Sequence, residues 1–453
     1  AAGLAEVPAA AIDAVFADWN HPDSPGCAVS VLDHGKVVYQ RGYGQASLEL
    51  GVPISPDTVF YIASTSKQFT ALSIALLAQQ GKLSLYDDVR RYVPELPDYG
   101  KPITVSHLVH HTSGLRDYLG LAGLAGHDVA DSLPLQQALD LITAQKALNY
   151  PVGSEYLYSN SNYLLMTVIV ERVSGMSLRA FSDQHIFKPL GMQHTQFYDD
   201  ATRIVPGRTI GHTRNDDGSW SLLRTSYALV GDGGLLTSVK DMEAWERNFL
   251  DNRLGLGGPA LLEQITTPGK LDDGKPIDYA FGLMAGHYRG LPTVSHGGSF
   301  LAYKADMLRF PQQQFAVHAL CNAQSATPDR YVRRIADLYL AGLFTAPVPA
   351  PPARRSSDSE AKPERSTAAQ RAALVGDYRS NELDVVYKVR LKDGQLTSSA
   401  GYLPAETWRL LDADHAEGDG ASVRVTRDPR GQVAGFVLDA GRVRGLAFER
   451  LPD

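Results

Sequence analysis

From Gln68 to Ala78 the chain reads Gln-Phe-Thr-Ala-Leu-Ser-Ile-Ala-Leu-Leu-Ala, rich in helix formers and apolar on most faces. Such a segment predicts a buried central helix, around which the rest of the fold has to be built. Gly81 stands where a C-terminal cap belongs. At the other end lies Ser64-Thr65-Ser66-Lys67. Residues three apart share a helix face, so the Lys67 amine can reach the Ser64 hydroxyl. A serine hydroxyl is a weak nucleophile until a base takes its proton, and a desolvated lysine can be that base. The helix N-terminus adds about half an elementary charge of favourable macrodipole for a developing oxyanion.

A Ser-x-x-Lys pattern alone says little. The chain holds a second one, Ser359-Glu360-Ala361-Lys362, in a stretch rich in proline, serine and charge where no helix is expected. The first match gains weight from two downstream segments, Tyr158-Ser159-Asn160 and then His296-Gly297-Gly298-Ser299. In that order the motifs resemble the serine β-lactamase and penicillin-binding-protein superfamily. His111-Thr112-Ser113-Gly114-Leu115, Pro189-Leu190-Gly191-Met192, Gly233 to Ser238 and Tyr279 to Leu283 are similar to its class C branch. The resemblance runs from about residue 10 to residue 345.

It implies an α+β fold, with an antiparallel sheet flanked by helices and a helical subdomain. The local patterns agree: helical character over residues 7–19, a hairpin over 26–44 turning at His34-Gly35, and a long helical middle. Strands over 302–310 and 315–322 and a closing helix over 328–343 complete that part. Residues 1–345 are therefore assigned to a serine hydrolase domain. Residues 346–366, rich in proline, serine and charge, read as a linker. Residues 367–453 show short alternating strands broken by Asp393-Gly394, Gly418 to Gly420 and Pro429 to Gly431, which predicts a small all-β barrel similar to lipocalin-like modules. No catalytic motif falls in it.

By resemblance, Ser64 is the nucleophile that forms an acyl-enzyme, and Lys67 its base. Tyr158 carries the proton between nucleophile and leaving group. Asn160 hydrogen-bonds Lys67 and the substrate amide; His296, Gly297 and Gly298 orient substrate; and the N–H groups of Ser64 and Ser299 form the oxyanion hole. His296 and Gly297 stand where penicillin-hydrolysing relatives carry Lys and Thr, which removes attraction for a carboxylate there. His-Gly-Gly is more similar to D-aminopeptidases, D-amino-acid amidases and carboxylesterases. The expected activity is hydrolysis of amides or esters, D-configured short peptides or amides ahead of simple esters. Alternatives are a carboxylesterase or acyltransferase, a D-Ala-D-Ala carboxypeptidase or β-lactamase, and a penicillin-binding sensor that acylates and stalls.

Bulk properties narrow the partners. The 453 residues carry a net charge of −7, with 44% hydrophobic and 21% charged residues and no long basic run, which argues against nucleic acid. The expected partner is a small molecule or short peptide; a homo-oligomer is left open. No stretch approaches the roughly 20 apolar residues of a membrane span. The first residues, Ala1-Ala2-Gly3, fit a mature end after signal cleavage or an arbitrary boundary, so a periplasmic or secreted enzyme is expected, with a cytoplasmic one still allowed. Cys27 and Cys321 sit in apolar runs and read as buried free thiols, a bridge between them being the second reading. His107, His110 and His111 have helical spacing, but no carboxylate or His-Glu-x-x-His pattern completes a zinc site, so neither metal nor cofactor is expected. No Gly-x-Ser-x-Gly elbow is present, and Gly255 to Pro259 lacks the lysine of a phosphate loop.

Overall fold

Alternating apolar residues at both ends of the first 345 positions meet in one six-stranded antiparallel sheet. The strands are β1 (Cys27–Asp33), β2 (Lys36–Tyr43), β3 (Met284–Tyr288), β4 (Leu291–Phe300), β5 (Tyr303–Phe310) and β6 (Phe315–Cys321), in the order β3-β4-β5-β6-β1-β2. The computed structural model describes residues 7–128, 130–348, 366–401, 404–418 and 420–452. Ala1 to Gly3, most of the 346–366 linker and the second Ser-x-x-Lys match lie outside the described residues. The chain divides into two units, one within Ala1–Val93, Thr104–His110 and Asn162–Pro349, the other within Pro94–Ile103, His111–Ser161 and Ala350–Asp453.

In the first unit, period-two alternation sends β1 residues Cys27, Val29 and Val31 to one face of the sheet. There they join Val317 and Ala319 of β6 and Leu308 and Phe310 of β5. A terminal helix (Pro328–Tyr339) covers this face with Val332, Ile335, Ala336 and Tyr339. The opposite face is more polar. Arg309 of β5 makes a bidentate pair with Glu246, at 2.6 and 2.7 Å, both side chains buried. Glu246 belongs to the helix Val239–Asn248, whose Trp245 donates to Gln68 at 2.6 Å. That bond ties it to helix α1 (Lys67–Gln79), buried from Lys67 to Leu77 as its composition predicts. Gly81, at φ +69°, ends α1 with its N–H on the Ala78 carbonyl.

The cysteine expectation is corrected here. Cys27 and Cys321 are directly opposite in the β1–β6 register and are joined by a disulfide. The two runs look like independent apolar strands in sequence; only their pairing across 294 residues brings the thiols together.

The second unit is built around a closed barrel of eight antiparallel strands within residues 376–450. Its core holds Tyr378, Val389, Leu396, Trp408, Phe436 and Phe448, and also Leu121 from the short helix Tyr118–Leu124. Arg116, just before that helix, is 1% exposed and pairs with Glu382 at 2.5 Å. Other N–H groups of its guanidinium donate to the carbonyls of Arg444 and Gly445. A buried guanidinium satisfied this way binds the barrel firmly to the 111–161 segment, because parting them strands a charge. Among the described residues no helix is long and apolar enough to cross a membrane.

Removing the cross-strand bridge releases the denatured chain from a very large loop. Cys27→Ser with Cys321→Ser is expected to lower stability by about 2–5 kcal/mol. The urea midpoint of the variant, compared with that of the oxidised wild type, measures it; coincident midpoints would contradict a stabilising bridge.

Candidate functional site

The candidate nucleophile lies at a forced bend. Phe60–Tyr61 pairs with Leu235–Thr237, and the chain then turns through a 3-10 segment, Ala63–Ser66, into α1. Ala63 has φ +47°, a left-handed conformation that costs a residue with a Cβ about 1–2 kcal/mol. Ser66 Oγ donates to the Ala63 carbonyl at 2.5 Å, and Thr65 Oγ1 donates to the His296 carbonyl at 3.3 Å, which together hold the bend against β4. Ser64 is partly exposed there, while Lys67 is fully buried. Lys67 Nζ stands 3.2 Å from Ser64 Oγ and donates to the Asp232 carbonyl, with the Tyr163 ring 5.5 Å away. A hydroxyl and an amine at that separation can exchange a proton without moving the backbone.

The third motif occupies β4 beside this bend. A Cβ on Gly298 would stand 2.1 Å from the Ile62 carbonyl oxygen and 2.9 Å from Thr65 Oγ1, so only glycine lets strand and bend approach this closely. His296 is buried and turned inward. Its Nδ1 lies 2.7 Å from the Gly297 carbonyl and its Nε2 2.9 Å from the Tyr279 hydroxyl. Burial, with Lys67 nearby, pushes its pKa down to about 4, so the ring is neutral at pH 7. The neutral tautomer then donates from Nδ1–H to the carbonyl and accepts at Nε2 from the tyrosine. β3 pairs with β4 only from Leu291 to Ser295, and no further strand pairs with that edge at Gly297 to Ser299 among the described residues.

Tyr158 and Asn160 belong to the second unit. Asp117 organises their surroundings. Its Oδ2 accepts from the Asn160 N–H at 2.7 Å and from Asn160 Nδ2 at 2.8 Å, while Oδ1 caps the Tyr118–Leu124 helix through Leu119 and Gly120. The Tyr158 ring packs against His111, centroids 4.3 Å apart, and His111 Nδ1 accepts from the Ser159 N–H at 3.1 Å. The Arg442 guanidinium of the barrel lies over the Tyr158 ring, 4.7 Å from its centroid, with Nη1 3.5 Å from Asp117 Oδ2.

Several of these neighbours escape a reading of the sequence. Asp117, Asp232 and Tyr279 stand beside recognised motifs, but nothing local marks them as partners; Arg442 is separated from Tyr158 by most of the second unit. The other two histidines of the cluster have separate partners: His107 Nδ1 accepts from the Thr104 N–H, and His110 Nδ1 lies 2.9 Å from the Ser106 carbonyl. Among the described residues no three His, Cys, Asp or Glu side chains gather as a metal-holding group.

Residues 12–342 match the protein family described as Beta-lactamase. The chain belongs to the beta-lactamase family. A D-aminopeptidase of Gluconobacter oxydans is 30% identical over 375 residues, covering 82% of this chain and 66% of that protein. A penicillin-binding protein of Bacillus subtilis is 31% identical over 323 residues, covering 66% and 68%. Thus the chain spans only about two thirds of these relatives' length. Among solved structures, the octameric penicillin-binding protein homologue from Pyrococcus abyssi superposes with a TM-score of 0.64 at 23% identity, covering 97% of this chain and 98% of that one. At that identity the likeness shows the fold alone.

The neutral histidines of this family member make stability sensitive to acid. Burial holds His110, His296 and His318 at about 4, against an ordinary value of 6.5. Between those values the unfolded chain takes up protons that the native protein refuses, so stability falls as pH drops from about 6.5 to about 4. Each histidine contributes up to about 1.4 kcal/mol per pH unit in that window. His318→Gln is expected to reduce the slope of unfolding free energy against pH there by about one proton. Urea titrations across the window measure it, and an unchanged slope would contradict the assignment.

Proposed function

We propose that this chain is a serine hydrolase that cleaves amide or ester bonds through an acyl-enzyme on Ser64, and that its substrates are those of a D-aminopeptidase or D-amino-acid amidase. The observation that carries the reading is the 3.2 Å approach of a fully buried Lys67 amine to the Ser64 hydroxyl. Ser64 Oγ attacks the substrate carbonyl as its proton passes to Lys67. The N–H groups of Ser64 and Ser299 receive the oxyanion; losing one such donor typically costs about 3 kcal/mol of transition-state stabilisation. Tyr158 shares the proton and delivers it to the leaving group, and Asn160 orients the substrate amide. Water then releases the acyl group.

The substrate preference rests on His296. A neutral ring offers no positive charge to a carboxylate, unlike the lysine of penicillin-hydrolysing relatives, and the relative from Gluconobacter oxydans bears the name D-aminopeptidase. Residues 1–345 would carry the chemistry, and the lipocalin-like barrel from 367 would shape access, with Arg442 set over Tyr158. The disulfide supports export to the periplasm or beyond, since such bonds persist in oxidising compartments. Self-association is part of the proposal, because the neighbour from Pyrococcus abyssi is octameric.

Ser64→Ala is expected to abolish release of p-nitroaniline from D-alanine p-nitroanilide while leaving the circular dichroism spectrum intact. Mass spectrometry of wild-type enzyme quenched with an activated ester should place the acyl group on Ser64. Retained turnover in the variant, or an adduct elsewhere, would overturn the assignment.

A further inference from the structure

The gap left at Gly297 is occupied. Gly297 pairs directly with Asp306 in the β4–β5 register, so both look to the same face of the sheet. A Cβ on Gly297 would lie 3.2 Å from Asp306 Oδ2: the carboxyl group leans across the glycine. Asp306 is 7% exposed, and among the described residues no donor hydrogen-bonds its carboxyl and no cation pairs with it. Burial pushes its pKa up to about 7, with Arg333 and Asp329 of the terminal helix acting on it from a distance and in opposite directions. Arg333 itself is paired to Asp329 at 3.5 Å. Two residues away on the same face, Lys304 leans instead over Ser299, its Nζ 2.5 Å from Ser299 Oγ. Period-two alternation puts these two side chains on the sheet face of Leu308 and Phe310, so beside Gly297 to Ser299 that face carries a carboxyl group at one end and an ammonium at the other.

We infer that Asp306 determines specificity, accepting a positively charged group on the substrate beside Gly297 and repelling a carboxylate there. A buried carboxyl lacking any partner gains most from a cation that reaches it. The inference rests on the proposal that substrate lies along this edge with its scissile carbonyl oxygen at the Ser299 N–H. Gly297 is two strand residues away, about 7 Å. A single aminoacyl group ends too close to its own carbonyl to span that distance, so the cation belongs to the leaving group, one residue beyond the scissile bond. The substrate class is a D-aminoacyl amide whose leaving amine carries a second, basic nitrogen and no free carboxylate.

The test compares D-alanine amides of three amines of similar length: trimethylenediamine (cationic), butylamine (neutral) and β-alanine (carboxylate). Wild-type kcat/KM is expected to fall in that order, by about tenfold or more from first to last. Asp306→Asn should shrink the cation-to-carboxylate ratio by about tenfold. Because the ratio is taken within one variant, a change in the folded fraction cancels. An unchanged ratio in Asp306→Asn, or a wild type that prefers the β-alanine amide, would overturn the inference. If no D-alanine amide is turned over while p-nitrophenyl acetate still acylates Ser64, the D-aminoacyl reading fails separately. The N-acetyl derivatives of the three amines, which keep the cationic, neutral and carboxylate ends, are then compared as competitors of that acylation, and Asp306→Asn must still lose the preference for N-acetyltrimethylenediamine.

Discussion

A lysine head group with no exposure to water is the constraint around which the first unit is arranged. Burying an amine requires polar atoms to be delivered into the core to meet it. The turn from Val230 to Gly234 does this by presenting the Asp232 carbonyl to Lys67. Three hydroxyls hold that turn: Thr70 of α1 donates to the Gly231 carbonyl, Thr167 donates to the Val230 carbonyl, and Ser66 Oγ accepts from the Leu235 N–H. Ser66 also fastens the left-handed bend at Ala63. Ser66 thus serves both the turn that meets the base and the bend that carries the nucleophile, and Thr65 pins that bend to β4 where Gly298 admits it.

In the second unit a carboxylate plays the comparable part. Asp117 gathers the Asn160 main chain and side chain, caps a helix and meets the barrel arginine that covers Tyr158. Arg116, its neighbour in sequence, is the buried cation that fastens the same segment to the barrel. Two consecutive residues of opposite charge therefore join the Tyr-x-Asn motif to a β-barrel that itself carries no motif. A change at the barrel's Arg442 turn is a change beside Tyr158.

How much of this is legible in the sequence depends on how local each signal is. Ser64 and Lys67 are three apart on one continuous helical turn, so their meeting is legible from helix geometry. The hairpin of β1 and β2, turning at His34 and Gly35 with φ +50° and +73°, is legible for the same reason. The barrel strands show their alternation residue by residue. Features set by strand register are not legible in this way. Cys27 meets Cys321, and Asp306 meets Gly297, only because particular strands are neighbours with a particular alignment. Nor does Ala63 announce its left-handed conformation, which the hydroxyls of Thr65 and Ser66 impose through distant and local contacts.

That β1 lies between β2 and β6 has a consequence for biosynthesis. A ribosome releases the N-terminal hairpin, which ends at Tyr43, long before the strand that must lie against its other edge, which begins at Phe315. Throughout that interval β1, whose side chains are nearly all apolar and destined for burial on both faces, exposes unpaired main-chain groups able to capture any other extended segment. The sheet that bears the third motif can close only after most of the first unit has been made, so the nascent chain depends on protection of one short apolar edge until Phe315 to Cys321 arrives.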